Sequence, residues 1–295
     1  MTTETTNTAE AARALKAKHR AMWAFGDYPA VVTDLVAPLG PVLVGAVGIT
    51  PGDRVLDVAA GSGNAAIPAA EAGASVVASD LTPELLEAGQ RAAARRGTRL
   101  EWRQADAEDL PFADAEFDTV MSCLGVMFAP YHQASADELI RVCRPGGTIG
   151  LLNWTPEGFI GQMFATMKPY APPPPPGAQP PPLWGREEHV RALLGDQVTD
   201  VTARRQTLRV SRFGRPEDFR DYFKANYGPT IAVYRALADD PERTAALDAE
   251  LADLARRHDL GTGSTPDTGS TPGTGSNQST VMEWEYLLLT ARKRS

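Results

Sequence analysis

Val55-Leu-Asp-Val-Ala-Ala-Gly-Ser-Gly-Asn64 reads as a short apolar strand carrying one acid, Asp57, that stops in a turn of small residues. A helix-compatible segment, 65–71, follows, with Pro68 early enough to sit in a first turn. A strand that turns on glycine and opens a helix aims free backbone N–H groups at a ligand. Gly61 and Gly63 have no Cβ, so the chain there reaches unusual dihedrals and approaches a bound molecule closely.

Outward from this stretch the chain alternates. Strands are expected at 54–58, 75–79, 99–104, 117–122 and 147–153, with helical patterns between most of them. That order implies parallel strands joined by crossover helices. Thr82 at the N-cap, Pro83 at the first helical position and Gly97 after Arg95-Arg96 delimit one helix. Another, 135–143, is expected to end in a tight turn at Arg144-Pro-Gly-Gly147. On the amino side, residues 1–10 are polar and expected to be loose; Ala12, Leu15, His19 and Met22 then share one helical face. On the carboxyl side, Pro172–Pro176 and Pro180–Pro182 form a stiff connector. Helical patterns at 186–194 and 216–225 flank a strand-like stretch, 198–210, and Asp240 opens a last helix with Leu247, Leu251 and Leu254 on one face. Residues 261–280 repeat Thr-Gly-Ser-Thr-Pro and hold nothing to bury, so a flexible loop is expected there. The segment 281–290 alternates and then turns apolar, which suits a final strand. The chain thus divides into a helical N-terminal cover (1–48), a ligand-binding core (49–155), a substrate-cover insert with a sheet strand (156–260), the loop (261–280) and the last strand (281–295).

Composition narrows the class. With 295 residues, 43% hydrophobic and 22% charged, the chain sits among ordinary soluble globular proteins. A net charge of −8, with no basic block longer than Arg292-Lys293-Arg294, argues against a dedicated nucleic-acid or anionic-membrane binder. No apolar run approaches the roughly 20 residues of a membrane span, and the first ten residues lack a signal pattern. The two cysteines, Cys123 and Cys143, have no metal-type spacing. A reduced, cytoplasmic enzyme without a metal, monomeric or homodimeric, is expected.

The glycine turn leaves its ligand open. Gly61-Ser-Gly-Asn-Ala-Ala66 satisfies the dinucleotide fingerprint, with Asp80 following 17 residues after Gly63 near the usual ribose-binding acid. A nicotinamide-dependent oxidoreductase is one reading. Asp57 favours another: an acid beside the turn repels a pyrophosphate and suits the cationic amino group of a methionine-derived ligand. It could otherwise simply cap the turn.

The motifs then accumulate in order: Val55-Leu-Asp-Val-Ala-Ala-Gly-Ser-Gly63, Ala78-Ser-Asp-Leu-Thr-Pro-Glu-Leu-Leu86, Gln104-Ala-Asp-Ala-Glu-Asp-Leu-Pro-Phe112, Phe117-Asp-Thr-Val-Met121 and Glu138-Leu-Ile-Arg-Val-Cys-Arg-Pro-Gly-Gly147. Over residues 50–155 the sequence resembles class I S-adenosylmethionine-dependent methyltransferases, most of all the ubiquinone/menaquinone C-methyltransferase-like branch. The resemblance implies an α/β, doubly wound, Rossmann-like seven-stranded sheet, mostly parallel with an antiparallel last strand. It implies that Asp57 and the backbone of Gly61 and Gly63 hold the methionine moiety of S-adenosyl-L-methionine. Asp80 would accept from the ribose hydroxyls, Leu81 would pack on the adenine, Asp106 would accept from the adenine amino group and the Ala107 backbone would donate to the ring. Cys123 matches a position beside the cofactor, or is a plain buried thiol. Ala59 stands where the family usually has glycine.

Methyl transfer needs alignment of the acceptor and, for a hydroxyl, removal of its proton. His132, after the fourth strand, is the candidate base, against its reading as a helix-starting histidine in a solvated turn. His19 reads as a core histidine, and His189 and His258 read as exposed. Trp23, Tyr28, Asn153, Trp154 and Tyr170 are candidates for the acceptor pocket, where aromatics suggest a planar or lipophilic small molecule. A non-catalytic S-adenosylmethionine-binding protein is the remaining alternative.

Overall fold

The computed structural model describes residues 2–261 and 280–295, with side chains from Arg13 onward; most of the expected 261–280 loop lies outside the described residues. Seven strands form one sheet: β1 (Arg54–Val58), β2 (Ser75–Asp80), β3 (Glu101–Gln104), β4 (Phe117–Cys123), β5 (Cys143–Trp154), β6 (Val198–Val210) and β7 (Met282–Lys293), in the order β3-β2-β1-β4-β5-β7-β6. β1 to β5 pair in parallel, and β7 runs antiparallel between β5 and β6. Val55, Leu56, Asp57 and Val58 are all buried, because β1 is central and covered on both faces.

Helices α1 (Thr2–Trp23), α2 (Tyr28–Val31) and α3 (Leu39–Val47) precede the sheet, with a π-helical turn at Val32–Val36. α4 (Ala66–Glu71), α5 (Pro83–Arg95) and α6 (His132–Val142) are the crossovers. α7 (Phe159–Met167), α8 (Glu187–Leu194), α9 (Pro216–Asn226), α10 (Gly228–Ala236) and α11 (Pro241–Arg257) lie between β5 and β7 in sequence. Among the described residues no single helix is long and apolar enough to cross a membrane.

Several boundaries differ from the sequence reading for identifiable reasons. α1 starts at Thr2 and not near Ala11, since extending a nucleated helix adds one hydrogen bond per residue fixed. β3 begins at Glu101 and not at 99, at the exposed edge of the sheet. The turn expected at 144–147 is absorbed into β5: Phe117 pairs Cys143, Thr119 pairs Thr148, and the extra residues make an irregularity. Thr82 occupies the N-cap of α5, yet its hydroxyl makes no capping bond; its N–H instead donates to Asp80 at 2.8 Å.

Strand order reverses between β1 and β4, so β1 leads to one side and β4 to the other. The loops after β1, β2, β3 and β4 open on this switch point, the place where such sheets hold ligands.

Candidate functional site

The turn after β1 is pinned by backbone bonds: the N–H of Ala60 donates to Ser79 O at 2.9 Å, and that of Gly63 to Ala60 O at 2.9 Å. Gly61 and Gly63 sit at φ +56° and +87°, in the region that favours glycine. A Cβ at Gly63 would also stand 2.7 Å from the Trp102 ring. Ala59 takes φ +54°, a left-handed conformation costing a side-chain-bearing residue roughly 1–2 kcal/mol. Gly125 backs it so closely that a Cβ there would lie 2.0 Å from Ala59 O. Ala59→Gly is expected to raise the unfolding free energy in urea by about 0.5–1 kcal/mol, and with it the midpoint, the relieved strain being partly offset by glycine's freer unfolded chain. An unchanged or lower midpoint would show that the alanine is not strained.

Three acids arise from this frame in three environments. Asp80, at the end of β2, is buried and accepts from Gly61 N–H and Thr82 N–H, each at 2.8 Å. Burial raises its pKa, and those two N–H groups oppose the rise. Asp57 is buried with neither carboxylate oxygen hydrogen-bonded among the described residues. Burial pushes its pKa up to about 8; the Ala66 amide pulls the other way without completing a hydrogen bond, and Asp80 adds to the rise. Asp106, half-buried in the loop after β3, accepts from Lys16 Nζ at 2.9 Å and from Glu108 N–H at 3.0 Å. Lys16 also pairs with Glu108, so α1 is tied across the mouth of the site.

That loop is itself held from α6. Arg141 donates to the carbonyls of Leu110 at 2.9 Å and Phe112 at 2.8 Å, while Glu138 accepts from Leu110 N–H at 2.6 Å. The Glu138–Arg141 pair of the fifth motif therefore positions the acidic loop of the third.

A cleft lies over these residues. Ala59, Gly61, Asp80, Leu81, Asp106 and Ala107 line it, as do Trp23, Tyr28 and His19. Asp57, Gly63 and Cys123 are not among its lining residues; the Asp57 charge nevertheless helps raise the Cys123 thiol, after burial. Tyr28 packs on the turn, its Cε1 3.5 Å from where a Gly61 Cβ would be. Burial holds its phenol well above the usual value. A second, much smaller cavity shares Tyr28, Leu124 and Phe128 with the cleft and is also lined by Trp154, Tyr227 and Trp284. Trp23 packs edge-on to Phe128 at 4.6 Å, Tyr28 at 5.3 Å and Tyr227 at 5.8 Å between ring centroids.

Some expected site residues lie elsewhere. His132 is fully buried at the start of α6, its Nδ1 2.9 Å from His189 Nε2, and its Nε2 has no partner among the described residues. It is neither in a solvated turn nor on the wall of either cavity. Burial, then His189, holds it down at about 4. Because that lies below the ordinary value, the unfolded chain takes up this proton first, and stability is lost as pH falls from about 6.5 toward 4. In His132→Phe the loss of melting temperature over that interval is expected to shrink by several degrees; an identical acid arm would show that His132 does not titrate this way.

Tyr170 donates to Glu250 at 2.7 Å on the surface, and Asn153 is buried in β5 with its Oδ1 unpartnered; neither lines a cavity. His19 is not a core residue: it is half-buried on the cleft wall, where burial, then Lys16, lowers its pKa. His189 and His258 are half-buried, not exposed. Lys16, Leu124, Phe128, Tyr227 and Trp284 escaped the sequence reading. Lys16 could have been found, since Lys16, His19 and Trp23 share a helical face. Nothing local marks Tyr227, which follows α9 in a short link.

The protein family described as "Methyltransferase domain" matches residues 55–147. "Uncharacterized protein Rv1405c" of Mycobacterium tuberculosis is 54% identical over 95% of this chain and 96% of its own length. "Demethylmenaquinone methyltransferase" of Clavibacter sepedonicus is 44% identical over 33% of this chain and 40% of its own. Among solved structures, the YcgJ protein of Bacillus subtilis superposes with a TM-score of 0.57 at 18% identity, covering 88% of this chain and 99% of that one. A putative methyltransferase from Bacillus halodurans gives 0.55 at 20% identity over 87% and 99%. The chain belongs to the S-adenosylmethionine-dependent methyltransferase family, in a full-length group with the mycobacterial protein.

Proposed function

We propose that the protein transfers the methyl group of S-adenosylmethionine to a planar, lipophilic small molecule bound beneath α1 and α2. The observation that carries this reading is the make-up of the cleft: Gly61, Asp80 and Asp106 line one part of it, and the aromatic side chains of Trp23, Tyr28 and Phe128 line another. The residues suit the cofactor. Asp57 is a buried acid lacking a partner, fit for an ammonium. Each Asp80 oxygen already takes one N–H and keeps a lone pair for a ribose hydroxyl. Leu81 and Ala107 offer apolar surface to a purine, and Asp106 offers an acceptor once Lys16 shares or yields it.

When bound, the cofactor supplies a methyl on a cationic sulfur, and attack on it requires an in-line approach. This chain's part is alignment and exclusion of water, which oriented encounter makes a large share of catalysis. Trp23, Tyr28 and Phe128 form the wall against which a flat acceptor is held. Tyr28 stays protonated across the neutral range, so it orients and does not remove a proton.

The test is untargeted: incubate the protein with methyl-labelled S-adenosylmethionine and a lipophilic extract, then identify labelled products. Label in a flat, apolar small molecule supports the reading. Label confined to protein or nucleic acid, or no turnover despite cofactor binding, would overturn it.

A further inference from the structure

Helix α1 meets the cleft with one face: Lys16, His19 and Trp23, at i, i+3 and i+7, all line it. At its carboxyl end the helix is fixed by close backbone packing. A Cβ at Gly26 would lie 2.6 Å from Asn226 O, and one at Gly228 would lie 2.4 Å from Met22 O. Nearer the amino end the hold is a single side chain. Lys16 Nζ lies 2.9 Å from Asp106 Oδ1 and 2.5 Å from Glu108 Oε2, with the lysine 17% and Glu108 8% exposed. The other ion pair of this helix among the described residues, Arg20–Glu84 at 3.6 Å, is half-exposed, where such pairs contribute little. Glu108 carries the link further, since its Oε1 accepts from the Tyr131 N–H at 2.8 Å, directly after Phe128, Ala129 and Pro130 of the cleft wall. One ammonium thus joins α1, the acidic loop after β3 and the segment that leads into α6.

Asp106 is shared in a particular way. Lys16 and the Glu108 N–H both donate to Oδ1, and Oδ2 takes no hydrogen bond among the described residues. A second carboxylate oxygen can accept from an incoming amino group while Lys16 keeps the first. The lysine contacts therefore suit the filled cleft as well as the ligand-free one, yet α1 must lift for a ligand to pass beneath it. Building on the methyltransferase reading above, we propose that Lys16 is a positioning residue: it latches α1 over the adenosine end of the cofactor and sets how fast the cofactor enters and leaves. Opening breaks the contacts to Asp106 and Glu108 while the glycine-packed carboxyl end holds, so the helix moves about the turn between Trp23 and Tyr28. Contacts made equally in two states do not shift the equilibrium between them. The latch slows both directions alike and adds little to affinity.

Surface plasmon resonance of S-adenosylhomocysteine over the immobilised protein reads both rates. In Lys16→Met, association and dissociation should each quicken about tenfold, the scale of one charge-assisted bond. Kd should change by less than about threefold, because the two rates rise together. A lysine that merely supported the shape of the site would, on removal, weaken Kd and leave association unchanged or slower. Lys16→Arg should restore slow exchange. Glu108→Gln should quicken both rates as well, and the double variant should be no faster than Lys16→Met alone, since both changes undo one latch. Unchanged rates in Lys16→Met, a loss of affinity carried by dissociation alone, or Lys16→Arg exchanging as fast as Lys16→Met would overturn the assignment. Should Lys16→Met fail to fold, the same pair of rates in Glu108→Gln decides. Calorimetry on the wild type keeps the two ideas apart. No binding of S-adenosylhomocysteine would sink the methyltransferase reading, whereas binding with exchange indifferent to Lys16 would sink only the latch.

Discussion

Binding of S-adenosylmethionine is expected to tighten roughly tenfold per pH unit between pH 6 and 8 and then level off, since one group must lose its proton. The group is Asp57. Its carboxyl is buried, unpartnered and pushed up to about 8, so the ligand-free protein holds it neutral at pH 7. An ammonium arriving beside it favours the carboxylate, and the proton leaves on binding. Calorimetry in buffers of different ionisation enthalpy should therefore report about one proton released at pH 6.5. Asp80 is raised by burial as well, so the Asp57→Asn comparison below assigns the proton. The pKa of His19 is lowered, and those of Tyr28 and Cys123 are raised, away from the window. In Asp57→Asn the affinity should fall about a hundredfold at pH 8 and lose its pH dependence. An affinity flat between pH 6 and 8 in wild type would remove Asp57 from the cofactor's amino end. The same acid has a converse effect on the empty protein. Its folded pKa is above the unfolded one, so it costs stability as pH rises from about 4 to 8; Asp57→Asn should melt higher than wild type at pH 9.

The second large effect is Asp80→Ala. This carboxylate joins two loops, accepting from Gly61 in the turn after β1 and from Thr82 at the head of α5. Truncation leaves two buried donors unmatched, at about 1–3 kcal/mol each. We expect a stability loss of roughly 3–5 kcal/mol together with at least a hundredfold weaker cofactor binding. Asp80→Asn retains one acceptor oxygen and should recover part of the stability while binding stays weak. Urea denaturation measures the first quantity and calorimetry the second. If Asp80→Asn matched wild type in both, the charge would have no role.

Legibility in the sequence followed the distance over which each signal acts. The turn 55–64 needed only the order strand, glycine, helix, and the structure holds that order through a bond donated to the Ser79 carbonyl and another within the turn. Asp57, Asp80 and Asp106 each sit at a strand end, so their convergence follows from parallel strands meeting one edge. His132 shows the limit. It also follows a strand in that register, but the chain turns it inward under α8, where it meets His189 across 57 residues. Tyr170 likewise looked like an aromatic of the cover and lies on the surface.

By itself, then, the sequence determined the fold and the meeting of the glycine turn with Asp80 and Asp106 at one cleft, because there β-strand alternation, glycine dihedrals and acidic residues act within a few positions of one another. Only the tertiary structure decided the rest. Trp23, Tyr28, Phe128, Tyr227 and Trp284 come from four separate parts of the chain and meet through packing, which leaves no local pattern. The neutral state of Asp57 likewise depends on layers of sheet and helix that exclude water from it. A strand's residues can be read in order; the dielectric around one of them belongs to the whole fold.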